Sequence, residues 1–137
     1  MIRRLLIANR GEIAVRIARS ARALGIETIA VVSEADRQSF VASLADAVEL
    51  IGPSPAHASY LDQDAELAAL HRSGADAVHP GYGFLSENAE FARRVLAAGA
   101  TWVGPSPETI ELMGDKAAAI AAARSAGVPV ISGSDGT

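Results

Sequence analysis

One lysine stands in this chain, Lys116, in the run Leu112-Met113-Gly114-Asp115-Lys116; the other eleven of its twelve basic side chains are arginine. Gly114 reads as the end of one helix and Asp115 as the cap of the next, which places Lys116 in a first helical turn. A cation there opposes the helix dipole, which favours anions at that end. Lysine and the free N–H groups of a helix start do suit each other when both face a phosphate. The alternative is a solvated surface lysine lying along its own alkyl stem. A second segment with chemical potential is His79-Pro80-Gly81-Tyr82-Gly83-Phe84-Leu85-Ser86-Glu87-Asn88. Gly81 and Gly83 let backbone approach a ligand closely, Tyr82 offers a flat face and one hydroxyl, and Pro80 stiffens the entry. The same residues also read as a structural turn with Phe84 and Leu85 plugging the core. His79 alone reads as a hydrogen-bonding residue at a strand end, and no second histidine has the spacing of a metal site.

A third segment, Ala8-Asn9-Arg10-Gly11-Glu12, forms the first strand-to-helix turn. A dinucleotide-binding turn carries three glycines there, the second of which admits the pyrophosphate. Gly11 stands alone, so NAD binding is disfavoured even though Glu34 and Asp36 lie at about the distance of a ribose-binding acid. Glu12 suits the helix start and is ordered for an i,i+4 pair with Arg16. The carboxylate pairs Asp62/Asp64, Glu87/Glu90 and Glu108/Glu111 all sit near helix N-termini, where acids are stabilising without catalysis. Arg16, Arg19 and Arg22 share one side of the first helix, read as a solvated face or, more sharply, as a subunit contact.

The elements that must position these residues alternate. Strands are expected at Leu5–Ala8, Thr28–Val32, Ala47–Ile51, Ala75–Val78 and Thr101–Val103, with a further candidate at Val128–Ile131. Helices are expected over Glu12–Leu24, Gln38–Leu44, Asp62–His71, Glu87–Ala97 capped by Ser86, Ser106–Gly114 opened by Pro107, and an alanine-rich helix from Asp115 to Gly127. This alternation predicts an α/β fold: a Rossmann-like, open, mostly parallel sheet with helices on both faces. Ligand loops in such folds come after strands, as the Asn9 turn and the His79–Asn88 segment do.

With 137 residues, half of them hydrophobic, the chain is long enough for one cored domain. A net charge of −4 argues against a broad nucleic-acid surface. Without cysteine there is no disulfide framework or thiolate metal site, which fits a cytoplasmic protein. The apolar run from Met1 to Ala8 is too short to span a membrane.

Three motifs in order, Ile7-Ala8-Asn9-Arg10-Gly11-Glu12-Ile13-Ala14, His79 to Asn88, and Met113-Gly114-Asp115-Lys116, resemble the biotin carboxylase family of the ATP-grasp superfamily. Ala126-Gly127-Val128-Pro129 and Gly133-Ser134-Asp135-Gly136 fit the same pattern. The resemblance runs the whole length of the chain but corresponds to less than half of such an enzyme. It implies an N-terminal, pre-ATP-grasp domain over residues 1–114, with residues 115–137 beginning the connection to the ATP-grasp domains. It also implies use of Mg-ATP and bicarbonate to form carboxyphosphate, then carboxylation of biotin on a carrier. Lys116 is expected to contact ATP, at a phosphate. Tyr82 and Gly83 are expected beside the biotin ring, with Glu87 orienting that loop or a neighbouring arginine. No catalytic residue and no metal ligand is assigned here: the family's glycine-rich lid, magnesium-binding glutamates and bicarbonate-handling residues are expected beyond residue 137. The expected partners are the ATP-grasp domains, a biotin carboxyl carrier domain, a carboxyltransferase and a second copy in a homodimer; neither nucleic acid nor membrane is expected. The isolated chain is expected to be inactive. The reading from another class is a stand-alone nucleotide-binding or interaction module, distinguished by the coding sequence after Thr137: a glycine-rich lid and acidic metal ligands for the enzyme, a stop codon for the module.

Overall fold

The computed structural model describes residues 1–131; the motif at Gly133-Ser134-Asp135-Gly136 lies outside them. Five strands, β1 (Arg4–Ile7), β2 (Glu27–Ser33), β3 (Ala47–Gly52), β4 (Ala77–His79) and β5 (Thr101–Trp102), form one sheet in the order β3-β2-β1-β4-β5. Every pairing is parallel, so each crossover carries the chain over a face of the sheet.

Alternation along the central strands sorts two cores. Leu6, Ala8, Ile29, Val31 and Val78 point to one face; Leu5, Ile7, Ala30 and Ala77 point to the other. The second face is covered by α1 (Gly11–Ala23), through Ala14, Ile17, Ala18 and Ala21, and by Val41 of α2 (Phe40–Leu44). The first face is covered by α3 (Gln63–Ser73), α4 (Ala89–Ala97) and α5 (Pro107–Gly114), which bring in Leu70, Phe91, Val95 and Ile110. Phe91 meets Trp102 edge to face, with ring centroids 5.7 Å apart. Helices on both faces of a parallel sheet are the layering that the sequence predicts.

Helix starts are set by side-chain capping. Asp62 accepts from the amides of Asp64 and Ala65, Ser106 from Thr109, and Asp115 from Ala118. The α4 cap differs from expectation: Asn88, not Ser86, accepts from the Phe91 amide at 2.8 Å. Ser86 and Asn88 instead donate their amides to Gly83 and Leu85 carbonyls, so the chain is still turning where the helix was expected to begin. The expected strand at Val128–Ile131 is not formed; the Val128 amide donates back to the Ala123 carbonyl, closing the end of α6 (Lys116–Ser125) around Gly127 at φ +73°. Helix α6 buries none of its side chains, in contrast to α5, whose Pro107 and Ile110 are buried.

Candidate functional site

The strand order reverses direction at β1: the chain steps from β1 outward to β2 and β3 on one side, and to β4 and β5 on the other. The loops leaving the carboxyl ends of β1 and β4 therefore part above the sheet, and a crevice at this switch point is where open α/β sheets bind ligands. The two loops are the Asn9–Glu12 turn and the His79–Asn88 segment, so topology joins two stretches some seventy residues apart in sequence.

Asn9 makes the junction. Its side-chain amide donates to the Pro80 carbonyl at 2.8 Å and the Tyr82 carbonyl at 2.7 Å, while its oxygen accepts from the Arg10 amide at 2.8 Å. Both donors and one acceptor site are thus used, which is what permits a carboxamide only 3% exposed. Gly81 wraps against it at φ +64°; a Cβ there would lie 2.9 Å from Asn9 Nδ2. The Gly81 amide donates to His79 Nδ1 at 3.0 Å, so His79 acts as a loop anchor, and its burial pushes the imidazole pKa below the ordinary value.

Arg10 holds the far side of the loop. Its guanidinium lies 5.3 Å from the Tyr60 ring centroid and 5.6 Å from that of Phe84, and those two rings stack at 5.3 Å with a 13° interplanar angle. Phe84 adopts φ +43°, a left-handed conformation that costs a residue with a Cβ roughly 1–2 kcal/mol. Ring stacking and the cation over the ring, each worth about 1 kcal/mol, offset that strain. The arrangement continues to Asp36, which accepts from the Tyr60 hydroxyl at 2.6 Å, the Ser33 hydroxyl at 3.1 Å and Arg10 at 3.5 Å. Burial works to raise the Asp36 pKa, but the Tyr60 and Ser33 hydrogen bonds and the Arg10 charge outweigh it and hold the carboxyl below its ordinary value. Burial, with the Asp36 hydrogen bond, pushes the Tyr60 hydroxyl up to about 12. Asp36 is therefore engaged within the protein rather than offered to a ribose.

Between these anchors the loop presents Tyr82 and Gly83, both exposed, Tyr82 by 61%. The Tyr82 hydroxyl donates to the Glu12 carboxylate, and that bond holds the hydroxyl pKa above its ordinary value. Glu12 thus reaches across to the loop, where the sequence pointed to Arg16. The structural-turn reading holds, since Leu85 is buried in the core and Phe84 packs against it; Tyr82 and Gly83 face outward.

Glu87 is exposed and lines a cleft of about 300 Å³ together with Ser86, Pro105, Thr109, Met113 and Gly114. That cleft reaches the α5 end of the Met113-Gly114-Asp115-Lys116 run but includes neither Tyr82 nor Lys116. Lys116 is exposed in the first turn of α6 and enters none of the ion pairs found among the described residues. Among the described residues no group of three or more His, Cys, Asp or Glu is arranged to hold a metal ion. Among the same residues no helix is long and apolar enough to cross a membrane. A cleft of about 580 Å³ lies between α1 and α2; Glu12, Arg16, Arg19 and Phe40 line it, with the Arg19 guanidinium 5.8 Å from the Phe40 ring centroid.

The sequence places Asn9 and Arg10 in the first turn without giving either side chain a role, and passes over Tyr60. The available signal was an asparagine directly after an apolar strand, a position where burial is tolerated only if the amide serves nearby backbone carbonyls.

The model of the biotin carboxylase N-terminal domain family matches residues 1–110. The biotin carboxylase of Allochromatium vinosum is 58% identical over 136 residues, covering 99% of this chain and 30% of that protein. The biotin carboxylase domain of a single-chain bacterial carboxylase superposes with a TM-score of 0.91 at 49% identity, covering 98% of this chain and 31% of that one. The biotin carboxylase domain dimer of the Hydrogenobacter thermophilus 2-oxoglutarate carboxylase, in complex with MgADP, ADP and bicarbonate, superposes with a TM-score of 0.91 at 43% identity over 99% of this chain and 30% of its own. The chain spans about 30% of the length of the curated relative it matches.

Proposed function

Because this chain belongs to the family of biotin carboxylase N-terminal domains, we propose that it is the N-terminal part of an ATP-dependent biotin carboxylase, which carboxylates carrier-bound biotin with Mg-ATP and bicarbonate. The observation that carries this reading is the switch-point loop, whose backbone is pinned by Asn9 and His79 while Tyr82 and Gly83 are left facing outward. A fixed aromatic face beside glycine backbone suits a flat ureido ring such as biotin's, which can lie on the ring and against the peptide. Glu87, on the cleft beside the end of the loop, is assigned to orienting it or a basic group brought by another domain.

Lys116 is assigned to the nucleotide. An exposed ammonium in a first helical turn, outside the ion pairs of the described residues, meets a phosphate without first leaving a carboxylate. ATP, when bound, supplies the phosphoryl group that activates bicarbonate. No catalytic residue or metal ligand is assigned to this chain. Residues 1–114 form the cored domain and residues 115–137 start the connection to ATP-grasp domains, a division supported by the absence of buried side chains on α6. A biotin carboxyl carrier domain and a carboxyltransferase complete the set of partners. The α1 face with Arg16, Arg19 and Phe40 is assigned to a homodimer contact, by analogy with the dimeric H. thermophilus relative. The lack of cysteine supports a cytoplasmic location.

The test is Lys116→Ala in the longer enzyme that carries this domain. The KM for ATP rises about tenfold or more, the size of one lost charge-assisted phosphate contact, while the KM for biotin is unchanged. An unchanged KM for ATP refutes the assignment. The 137-residue chain by itself turns over no ATP in response to biotin, and calorimetry finds ATP binding no tighter than about millimolar.

A further inference from the structure

We propose that Asn9 is the positioning residue of the Tyr82–Gly83 loop: its carboxamide acts as a template around which Pro80, Gly81 and Tyr82 are wound, so that the first turn of the fold sets where the substrate-facing loop stands. This deepens the biotin reading above and rests on it for its kinetic consequence, though not for its structural one.

The Asn9 side chain stands in for secondary structure in this loop. The Pro80 and Tyr82 carbonyls would otherwise need partners from water or from a helix, and neither lies in one. Asn9 supplies both donors, at 2.8 and 2.7 Å, from a side chain that is 3% exposed and itself fixed by the Arg10 amide. Two carbonyls bracketing Gly81 are thereby drawn to one nitrogen, which curls the loop and accounts for φ +64° at Gly81 and its close approach to the asparagine. The curl in turn brings Tyr82 within reach of Glu12, the third residue after Asn9. Neighbouring residues of the same turn act in concert: Asn9 on the loop backbone, Arg10 on the Phe84 ring and Glu12 on the Tyr82 hydroxyl. Of these three, Asn9 alone bonds the main chain of the loop on both sides of Gly81, and it does so from beneath, away from the outward face.

Asn9→Asp separates this role from simple filling of space. The substitution keeps the shape and turns a double donor into an acceptor facing two carbonyl oxygens. The loop is then pushed off, and Tyr82 parts from Glu12. Two readouts report this. In the chain with 13C-labelled tyrosine, assigned with Tyr82→Phe, the Tyr82 hydroxyl of the wild type titrates above its ordinary value of about 10, and in Asn9→Asp it falls back to that value. In the longer enzyme, Asn9→Asp raises the KM for biotin about tenfold and leaves the KM for ATP within twofold. If Asn9→Asp does not fold, Gly81→Ala serves instead, since its Cβ would stand 2.9 Å from Asn9 Nδ2 and force the loop away from the two donors of an asparagine that is itself unchanged. A wild-type Tyr82 titration in the folded variant overturns the positioning role whatever the enzyme does. A shifted titration with an unchanged KM for biotin upholds the template and refutes the biotin reading of the loop. Equal losses in every kinetic constant, with a wild-type titration, mean a structural role only and overturn the proposal.

Discussion

Glu66 lies on α3 in line with Ala69 and Leu70 on the buried face of the helix, 1% exposed, and neither carboxylate oxygen has a hydrogen-bond partner among the described residues. Burial pushes its pKa well above the ordinary value of 4.5, and the Asp62 charge one turn earlier pushes the same way. The group is therefore neutral in the folded chain at a pH where the unfolded chain has already ionised. The folded state binds one proton more than the unfolded state across that window, so stability falls as pH rises through it and levels off once the folded-state value is passed. One proton taken up per molecule is worth about 1 kcal/mol per pH unit, which sets the scale of the loss from this one residue as pH rises above the unfolded value of 4.5. Glu66→Gln keeps the shape and polarity but cannot ionise. Urea unfolding of both proteins at pH 5 and pH 6 is the measurement, with the wild type losing on the order of 1 kcal/mol relative to the variant over that interval. Glu66→Leu removes the unpartnered oxygens as well and gains a further increment of about 1 kcal/mol at both pH values. Wild-type and Glu66→Gln stabilities that run parallel between pH 5 and pH 6 refute the reasoning, because a carboxyl that ionises equally in both states is either hydrated or paired in solution.

Other consequences are more direct. The chain has two tyrosines, and both are held above the ordinary range, Tyr60 up to about 12 by burial and Tyr82 by its bond to Glu12; Glu12→Leu should return Tyr82 alone to a value near 10 in an ultraviolet titration, and no change would mean that the hydroxyl is free in solution. If the α1–α2 face is a subunit contact, Phe40→Asp, which puts a charge where an aromatic ring is now 60% exposed, shifts sedimentation of the longer enzyme from dimer to monomer without altering the fold; a dimer that survives the substitution places the contact elsewhere. In the same experiment the wild-type 137-residue chain is expected to self-associate at high concentration through the alanine face of α6, Ala117 to Ala123, which buries no side chain of its own; a clean monomer removes that surface from consideration.

How much of this was legible before the structure depends on the range of the interaction. Local signals were read directly. Asp115 caps the helix it was expected to cap, Asp62 and Ser106 cap the two helices expected to begin at them, and Gly25 and Gly74 close the helices before them at positive φ. Each such contact spans two to four residues, so its partners are in the same short stretch of sequence. The α4 start was misplaced for the same reason: Ser86, Glu87 and Asn88 all lie near the turn, Ser86 and Asn88 both cap well, and only the preceding loop, held by Asn9 from the neighbouring strand's end, decides that the chain keeps turning as far as Asn88.

The residues 79–88 could be seen to come after a strand and to carry two glycines around a tyrosine, and the family order of motifs could be seen around them. Alternating strands and helices determined a parallel α/β sheet, because period and polarity are written in each segment. What only the tertiary structure decided is which distant segments share a crevice. The strand order puts β1 beside β4, and that adjacency turns Asn9, which the sequence shows only as part of a strand-to-helix turn, into the anchor of a loop seventy-one residues away. It also engages Asp36 with Tyr60 and Arg10, and leaves the Glu66 carboxylate on the buried face of α3 with no hydrogen-bond partner among the described residues. Hydrogen bonds and desolvation depend on distance in space, and a sequence records distance only along the chain.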